Sequence, residues 1–215
     1  MCKCYLATEG TKRLLEVGAG PSNRTSDFLA SLAPLVGVDV STEALNNRAL
    51  TACFLFDGEN LPFAENSFDG CISNFVIEHV DNPLAHFREI TRVLRPGGTY
   101  CLRTPNLYHY VAAISRFTPH WFHESVANRV RTLAEAAHSP WPTYYRCNTL
   151  RAIARIARSA GLQPLRIEMV EKEPSYGRVS RALFYPMFAW ERVVNARPQL
   201  SHFRANIFAA VRKPL

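Results

Sequence analysis

The sequence predicts an α/β fold, a seven-stranded and mostly parallel sheet with helices on both faces and an inserted helical cap. Three observations predict it. Apolar runs of strand length alternate with helix-length segments through the first hundred residues, the pattern of a sheet whose crossovers cover both faces. Leu14-Leu15-Glu16-Val17 runs directly into Gly18-Ala19-Gly20-Pro21-Ser22-Asn23, a strand followed by a glycine turn and a helix start. Leu94-Arg95-Pro96-Gly97-Gly98 sets proline and glycine where one helix stops and the next strand begins.

The elements follow in order. The apolar run 13–18 is the first strand, and the helix after the glycine turn covers 23–32. Leu35-Val36-Gly37-Val38-Asp39 is a strand that ends on a carboxylate, and the helix beginning near Ser41 covers 42–50. Strands at 52–56 and 69–74 lead to a helix at 82–94, which the Pro-Gly-Gly turn ends before a strand at 97–104. Helices are expected at 107–117 and 122–137, and at 149–160, where Asn148 or Thr149 supplies the cap and Gly161 the stop. A strand at 164–171, a helix at 179–195 and a strand at 205–212 complete the chain.

At 215 residues the chain is expected to form a single domain. Residues 13–104 form its ligand-binding half, and 105–148 and 175–204 are aromatic, arginine-rich additions at the carboxyl edge of the sheet, where such additions commonly shape a substrate pocket. The composition, 47% hydrophobic and 20% charged, is that of a globular protein. No apolar run approaches a membrane span, and no charged-then-apolar leader opens the chain, so a cytoplasmic location is expected. Cys53, Cys71 and Cys101 fall in apolar strand-like runs, where cysteine behaves as a small hydrophobe. Cys2 and Cys4 form Cys-x-Cys with no second pair at ligand spacing, and no metal site is expected.

Charge is uneven. Residues 1–100 carry 8 Lys/Arg against 12 Asp/Glu, whereas residues 101–215 carry 17 against 6. The basic half could attract an anionic partner, and the segment 179–195 could lie on an anionic membrane surface; a solvated basic surface is the plainer expectation.

Glycine lets the backbone approach a ligand, and free N–H groups at a helix start attract an anion, so 14–23 offers a seat for a nucleotide-type cofactor. A dinucleotide fingerprint wants a third glycine; Ser22 or Asn23 stands there instead. Asp39 follows Gly20 by 19 residues, a position from which an acid can accept both hydroxyls of a ribose.

Together with Asp57-Gly58-Glu59-Asn60-Leu61-Pro62-Phe63, Asn66-Ser67-Phe68-Asp69, Asn74-Phe75-Val76-Ile77-Glu78-His79-Val80 and Glu89-Ile90-Thr91-Arg92-Val93-Leu94-Arg95-Pro96-Gly97-Gly98, this run resembles the class I S-adenosylmethionine-dependent methyltransferases of the type 11 group, over roughly residues 13–104. The resemblance implies a Rossmann-like sheet with S-adenosylmethionine as cofactor. It implies that Glu16, Gly18 and Gly20 hold the methionine end, that Asp39 holds the ribose diol, that Asp57 and Gly58 meet the adenine, and that Asn74 lines the methyl-donor side. Asp57 and Asn74 have an alternative reading as turn formers.

The expected reaction is methyl transfer, foremost to oxygen, on a small or amphipathic acceptor such as a sugar, quinone-like ring, lipid or natural-product scaffold. An oxygen or nitrogen acceptor can need a base, and His79, just beyond the fourth strand, is the first candidate. Tyr108, His109 and Tyr110 beyond the fifth strand, and Tyr144, Tyr145 and Arg146 in the cap, are candidate acceptor contacts. His120 and His123 rank lower. Two other enzyme readings remain, a nicotinamide-dependent oxidoreductase and an RNA methyltransferase. Nucleic acid is not the expected partner, because Ser73-Asn74-Phe75-Val76 stands where base methylation would show Asn-Pro-Pro-Tyr. A third reading is a non-catalytic binding subunit on the same sheet.

Overall fold

The structure, a computed structural model, describes residues 5–6, 13–109, 142–171 and 181–215, with side chains at 181–183 left aside. Seven strands form one sheet in the order β3-β2-β1-β4-β5-β7-β6. They are β1 (Leu14–Val17), β2 (Leu35–Asp39), β3 (Ala52–Leu55), β4 (Phe68–Asn74), β5 (Leu94–Pro105), β6 (Gln163–Val170) and β7 (Asn206–Arg212). β1 pairs in parallel with both β2 and β4, β2 with β3, and β4 with β5. Every residue of β1 and β2 is buried, as expected for parallel strands covered on both faces. Chain order reverses beside β1, between β2 and β4, and ligands of open α/β sheets sit at the carboxyl ends of the strands flanking such a switch.

The helices are α1 (Arg24–Ala30), α2 (Pro83–Val93), α3 (Leu150–Ser159) and α4 (Arg181–Ala196). Each of the first three starts on a capping side chain, Thr149 being one of the two the sequence suggests. The Asn23 side chain accepts from the amides of Thr25 and Ser26, Asn82 accepts from Ala85, and Thr149 accepts from Ala152. One buried cluster gathers Leu6, Leu14, Leu29, Leu35, Ile72, Cys101 and Ala210. Phe87, Ile90 and Val93 of α2 are fully buried with Tyr100 of β5, and the Phe87 and Tyr100 rings meet edge-on at 5.4 Å.

The chain divides into two compact units, one of 1–104, 143–168 and 208–215, the other of 105–142 and 169–207. The residues 144–146 assigned above to a cap thus belong with the sheet. Among the described residues, no helix is long and apolar enough to cross a membrane.

Three expectations are corrected. The helix expected at 42–50 is a single 3-10 turn, Thr42–Asn46. Asn47 leaves helical geometry and turns its buried amide onto the glycine loop, donating to Gly20 O at 3.2 Å and Ser26 Oγ at 2.9 Å, the competition with helix that asparagine commonly offers. The strand expected from 97 begins at Leu94, and Arg95–Gly98 is an irregularity inside it: Phe68 pairs with Leu94, but Gly70 pairs with Thr99. Gly97 N–H donates to Lys213 O and Lys213 N–H to Gly98 O, so the expected turn is hydrogen-bonded to the end of the chain. The expected helix 107–117 does not begin at 107, since residues 107–109 form a turn and bend. The rest of it and the helix at 122–137 lie outside the described residues.

Beneath α2, Ser73 Oγ and Tyr100 Oη lie 2.6 Å apart and His86 Nε2 is 3.3 Å from the same hydroxyl. Burial pushes the His86 pKa down to about 4, whereas the unfolded imidazole titrates near 6.5. Between those values the unfolded chain binds the extra proton, so His86 costs nothing above about pH 6.5 and draws stability down as pH falls towards 4. The expected loss is about 3 kcal/mol across that window. Urea midpoints measured at stepped pH should show this slope, and His86→Leu should flatten it.

Candidate active site at the strand 1 glycine turn

The turn after β1 is built by two glycines in the left-handed region. Gly18 has φ +69° and Gly20 φ +58°. A Cβ on Gly18 would collide with Val76 Cγ2, whereas one on Gly20 would meet nothing within 4 Å. The first glycine therefore lets the turn close against the chain beyond β4, and the second borders open space. Gly18→Ala should lower the melting temperature markedly, with a cost of several kcal/mol from clash and backbone together, while Gly20→Ala should cost only about 1 kcal/mol of backbone strain. Parallel thermal melts of the two variants check this.

A polar lattice holds the turn from below. Ser26 Oγ donates to Glu16 Oε2 at 2.7 Å and accepts from the side-chain amides of Asn23 and Asn47, each at 2.9 Å. Asn23 Nδ2 also reaches Ala19 O at 2.9 Å and Pro21 O at 3.0 Å. Glu16 is 2% exposed. Burial, reinforced by the charge of Asp39 and partly offset by the Ser26 hydroxyl, pushes its pKa up to about 7. Asp39 is also buried; its Oδ2 accepts from Gly20 N at 2.9 Å and its Oδ1 from Ser41 N at 2.8 Å.

The expectation of free amides awaiting an anion is thereby corrected. Gly20 N–H is bonded to Asp39, Gly18 N–H to Val38 O, and the first amides of α1 to Asn23. Two buried carboxylates, with the donors around them already engaged, make a seat for positive charge and hydroxyl donors. A pyrophosphate would meet repulsion here.

Asp57 and Gly58 stand on the neighbouring loop. Asp57 is exposed and acts as a turn former, accepting from Glu59 N, Asn60 N and Asn60 Nδ2, and these bonds hold its carboxyl below the usual carboxylate range. Gly58 has φ +89°, and a Cβ there would lie 3.5 Å from Val40 Cγ1. Val40, 43% exposed, presents an apolar surface between the loops of Asp39 and Asp57. The signal for it was an apolar residue directly after a strand-end acid. Ser26 and Asn47 were also missed; Asn46-Asn47, unfavourable inside the expected helix, was the available signal.

Asn74 ends β4 with its amide 3.4 Å from Thr25 Oγ1, which ties that strand to α1. His79 is half-buried in the 3-10 turn Ile77–His79, its N–H bonded to Val76 O. The acid before it, Glu78, is 4% exposed and accepts from Thr104 Oγ1 at 3.0 Å, and burial raises its pKa. The Glu78 carbonyl accepts from the amides of Tyr144 and Tyr145, at 2.8 and 3.2 Å, and Arg146 bonds Asp81 at 2.7 Å. The structure thus brings Tyr144, Tyr145 and Arg146 against the turn that carries His79. In the second unit Tyr108 is exposed, but His109 is buried 3.6 Å from Glu171, and burial lowers its pKa to about 4. His109 is therefore no open lining residue there. Tyr110, His120 and His123 lie outside the described residues. Among the described residues, no group of His, Cys, Asp or Glu could hold a metal ion.

Comparison with known proteins gives the family. A family model described as a methyltransferase domain matches residues 15–102. The demethylmenaquinone methyltransferase of Corynebacterium kroppenstedtii is 30% identical over 164 residues, 70% of this chain and 67% of that protein. The chain belongs to the class I S-adenosylmethionine-dependent methyltransferases. Its methyl donor is S-adenosylmethionine. The biotin biosynthesis bifunctional protein BioHC of Teredinibacter turnerae is 50% identical over 50 residues, 23% of this chain but 9% of that protein. The other curated relatives compared are matched over less than half of their own length.

Among solved structures, the [4+2]-cyclase SpnF superposes with a TM-score of 0.64 at 20% identity, over 99% of this chain and 78% of that one. Phosphoethanolamine N-methyltransferase 2 of Haemonchus contortus, in complex with S-adenosyl-L-methionine, gives 0.61 at 19% identity, over 99% and 51%. At these identities the likeness is one of fold, and fold does not fix chemistry.

Proposed function

We propose that this methyltransferase transfers a methyl group to an oxygen of a small or amphipathic acceptor, in the cytoplasm, with a quinone-like ring as the leading acceptor class. The observation that carries the donor half of this reading is the buried pair Glu16 and Asp39 around an open Gly20. The name of the Corynebacterium relative supports a quinone-like acceptor.

S-adenosylmethionine, when bound, supplies an electrophilic methyl on a sulfonium leaving group. The buried charge of Glu16 attracts the ammonium of the methionine end. Asp39 accepts from ribose hydroxyls with the lone pairs its two backbone donors leave. Val40 covers a face of the adenine, Asp57 accepts from its amine, and Gly58 lets the loop approach the ring. Asn74 lines the methyl-donor side. An in-line displacement asks the protein mainly for position and exclusion of water. His79 takes the proton from the acceptor hydroxyl, with Tyr144, Tyr145 and Arg146 beside it.

Glu16 makes this testable without an acceptor. Its pKa of about 7 in the folded protein lies above the 4.5 of an ordinary glutamate. From pH 4.5 to 7 the folded chain holds the extra proton, so stability falls as pH rises through that window, by about 3 kcal/mol from this group. Glu16→Gln should therefore raise the melting temperature at pH 8 while weakening S-adenosylhomocysteine about tenfold by calorimetry. Wild-type affinity should rise with pH through 7 and level off, because binding a cation favours the ionised carboxylate; the variant should show no such rise.

The transfer step is tested by screening demethylated quinone-like rings, sugars and lipids with a labelled methyl donor. On the acceptor so found, His79→Ala should lower turnover by about a hundredfold and leave cofactor affinity within a factor of two. Unchanged turnover would remove His79 from the mechanism.

A further inference from the structure

From Phe184 onward, α4 presents one solvent face made of Tyr185, Ala189, Arg192, Val193 and Ala196, residues spaced as one side of a helix. Tyr185 is 65% exposed and Val193 45%. An ordinary surface helix of a globular protein turns charge outwards; this face is apolar but for one arginine. Along its flanks Phe184 and Phe188 stack at 5.8 Å, and Trp190 meets Phe203 at 6.2 Å. The aromatics are thus braced rather than loose.

The charges of this helix are sorted by sign. The Arg192 side chain is 70% exposed and lies over the Phe188 ring at 4.8 Å. Arg197, exposed, follows the face at its carboxyl end. The acid beside Arg192, Glu191, has a side chain only 17% exposed, accepting from Asn195 at 2.8 Å and lying 3.8 Å from Arg192. Outward there is apolar surface and cation, inside a half-chain carrying 17 Lys/Arg against 6 Asp/Glu.

We infer that α4 docks on an anionic lipid surface, with Tyr185 and Val193 entering the headgroup boundary and Arg192 and Arg197 meeting lipid phosphates. Apolar insertion and cation attraction are the two terms that hold such a helix in an interface, and this face carries both without an outward acid to oppose them. With 16 residues the helix is about 24 Å long, too short to span a bilayer and suited to lying along it. The inference stands apart from the methyl-transfer reading, since none of these residues belongs to the donor site.

The test is co-sedimentation of the full chain with vesicles of phosphatidylcholine and of a phosphatidylcholine–phosphatidylglycerol mixture. Binding should be confined to the anionic vesicles and fall with added salt. Arg192→Ala should weaken it about fivefold, and Tyr185→Ser with Val193→Ser about tenfold, with melting temperature and S-adenosylhomocysteine affinity unchanged in each. Equal binding to both vesicles, or binding that survives these substitutions, would overturn the inference. So would sedimentation velocity showing a dimer that the same substitutions dissolve, because the face would then be occupied by a second copy.

Discussion

A carboxylate that the fold buries before any ligand arrives is the constraint on which the rest of the site depends. Glu16 lies within a fully buried strand, and the Ser26 hydroxyl satisfies one of its oxygens without removing the cost of its charge. Removing a charge from water is expensive unless an opposite charge repays it. Around it the chain supplies amides and a hydroxyl, together with a second carboxylate, Asp39, that makes matters worse. Among the described residues no cation offsets Glu16, and that part falls to the ligand. Perturbed groups held at a stability cost mark functional sites more often than structural ones, and here the sign of the perturbation selects a cationic ligand.

That sign also separates readings which share the sheet and the glycine turn. A dinucleotide brings phosphates and wants free amides at the helix start. In this chain Asn23 takes those amides, Asp39 takes Gly20 N–H, and Asn47 clamps the loop carbonyls. A glycine turn seated on two acids is arranged for ammonium, sulfonium and hydroxyl groups. The same strand–turn–helix grammar thus serves opposite electrostatics according to which polar side chains complete it.

The sheet was legible because its signals are local. Strand ends fell within about three residues of expectation, and the cap at Thr149 follows a rule that short-range chemistry enforces. What the residues alone concealed were contacts made at long range. Asn47 abandons its helix for carbonyls 26 to 28 residues away. Val76 fills the space that Gly18 leaves, from beyond another strand. Asp57, which reads as a ligand-binding acid, first caps its own loop, since a carboxylate can accept several bonds at once. His109 looked like an open pocket residue, yet its burial near Glu171 depends on a segment some sixty residues later.

Along the carboxyl edge of the sheet strain is unevenly placed, and the difference has a functional sense. On the donor side positive φ falls on glycines, where it costs little. Beyond β4 it falls on Phe75 at +59° and Tyr145 at +52°, where bulky residues hold such angles only when neighbours over-determine them. Phe75 N–H is held by Arg103 O and its ring lies 4.3 Å from the Arg103 guanidinium, while Tyr145 N–H is held by the carbonyl of buried Glu78. Both clamps converge on the turn carrying His79. A donor shared across a family can be held by unstrained glycine geometry, whereas an acceptor particular to one enzyme asks for side chains set where an unconstrained chain would not put them. Strain at Phe75 and Tyr145, beside the turn of His79, is what a specificity-setting acceptor side should show.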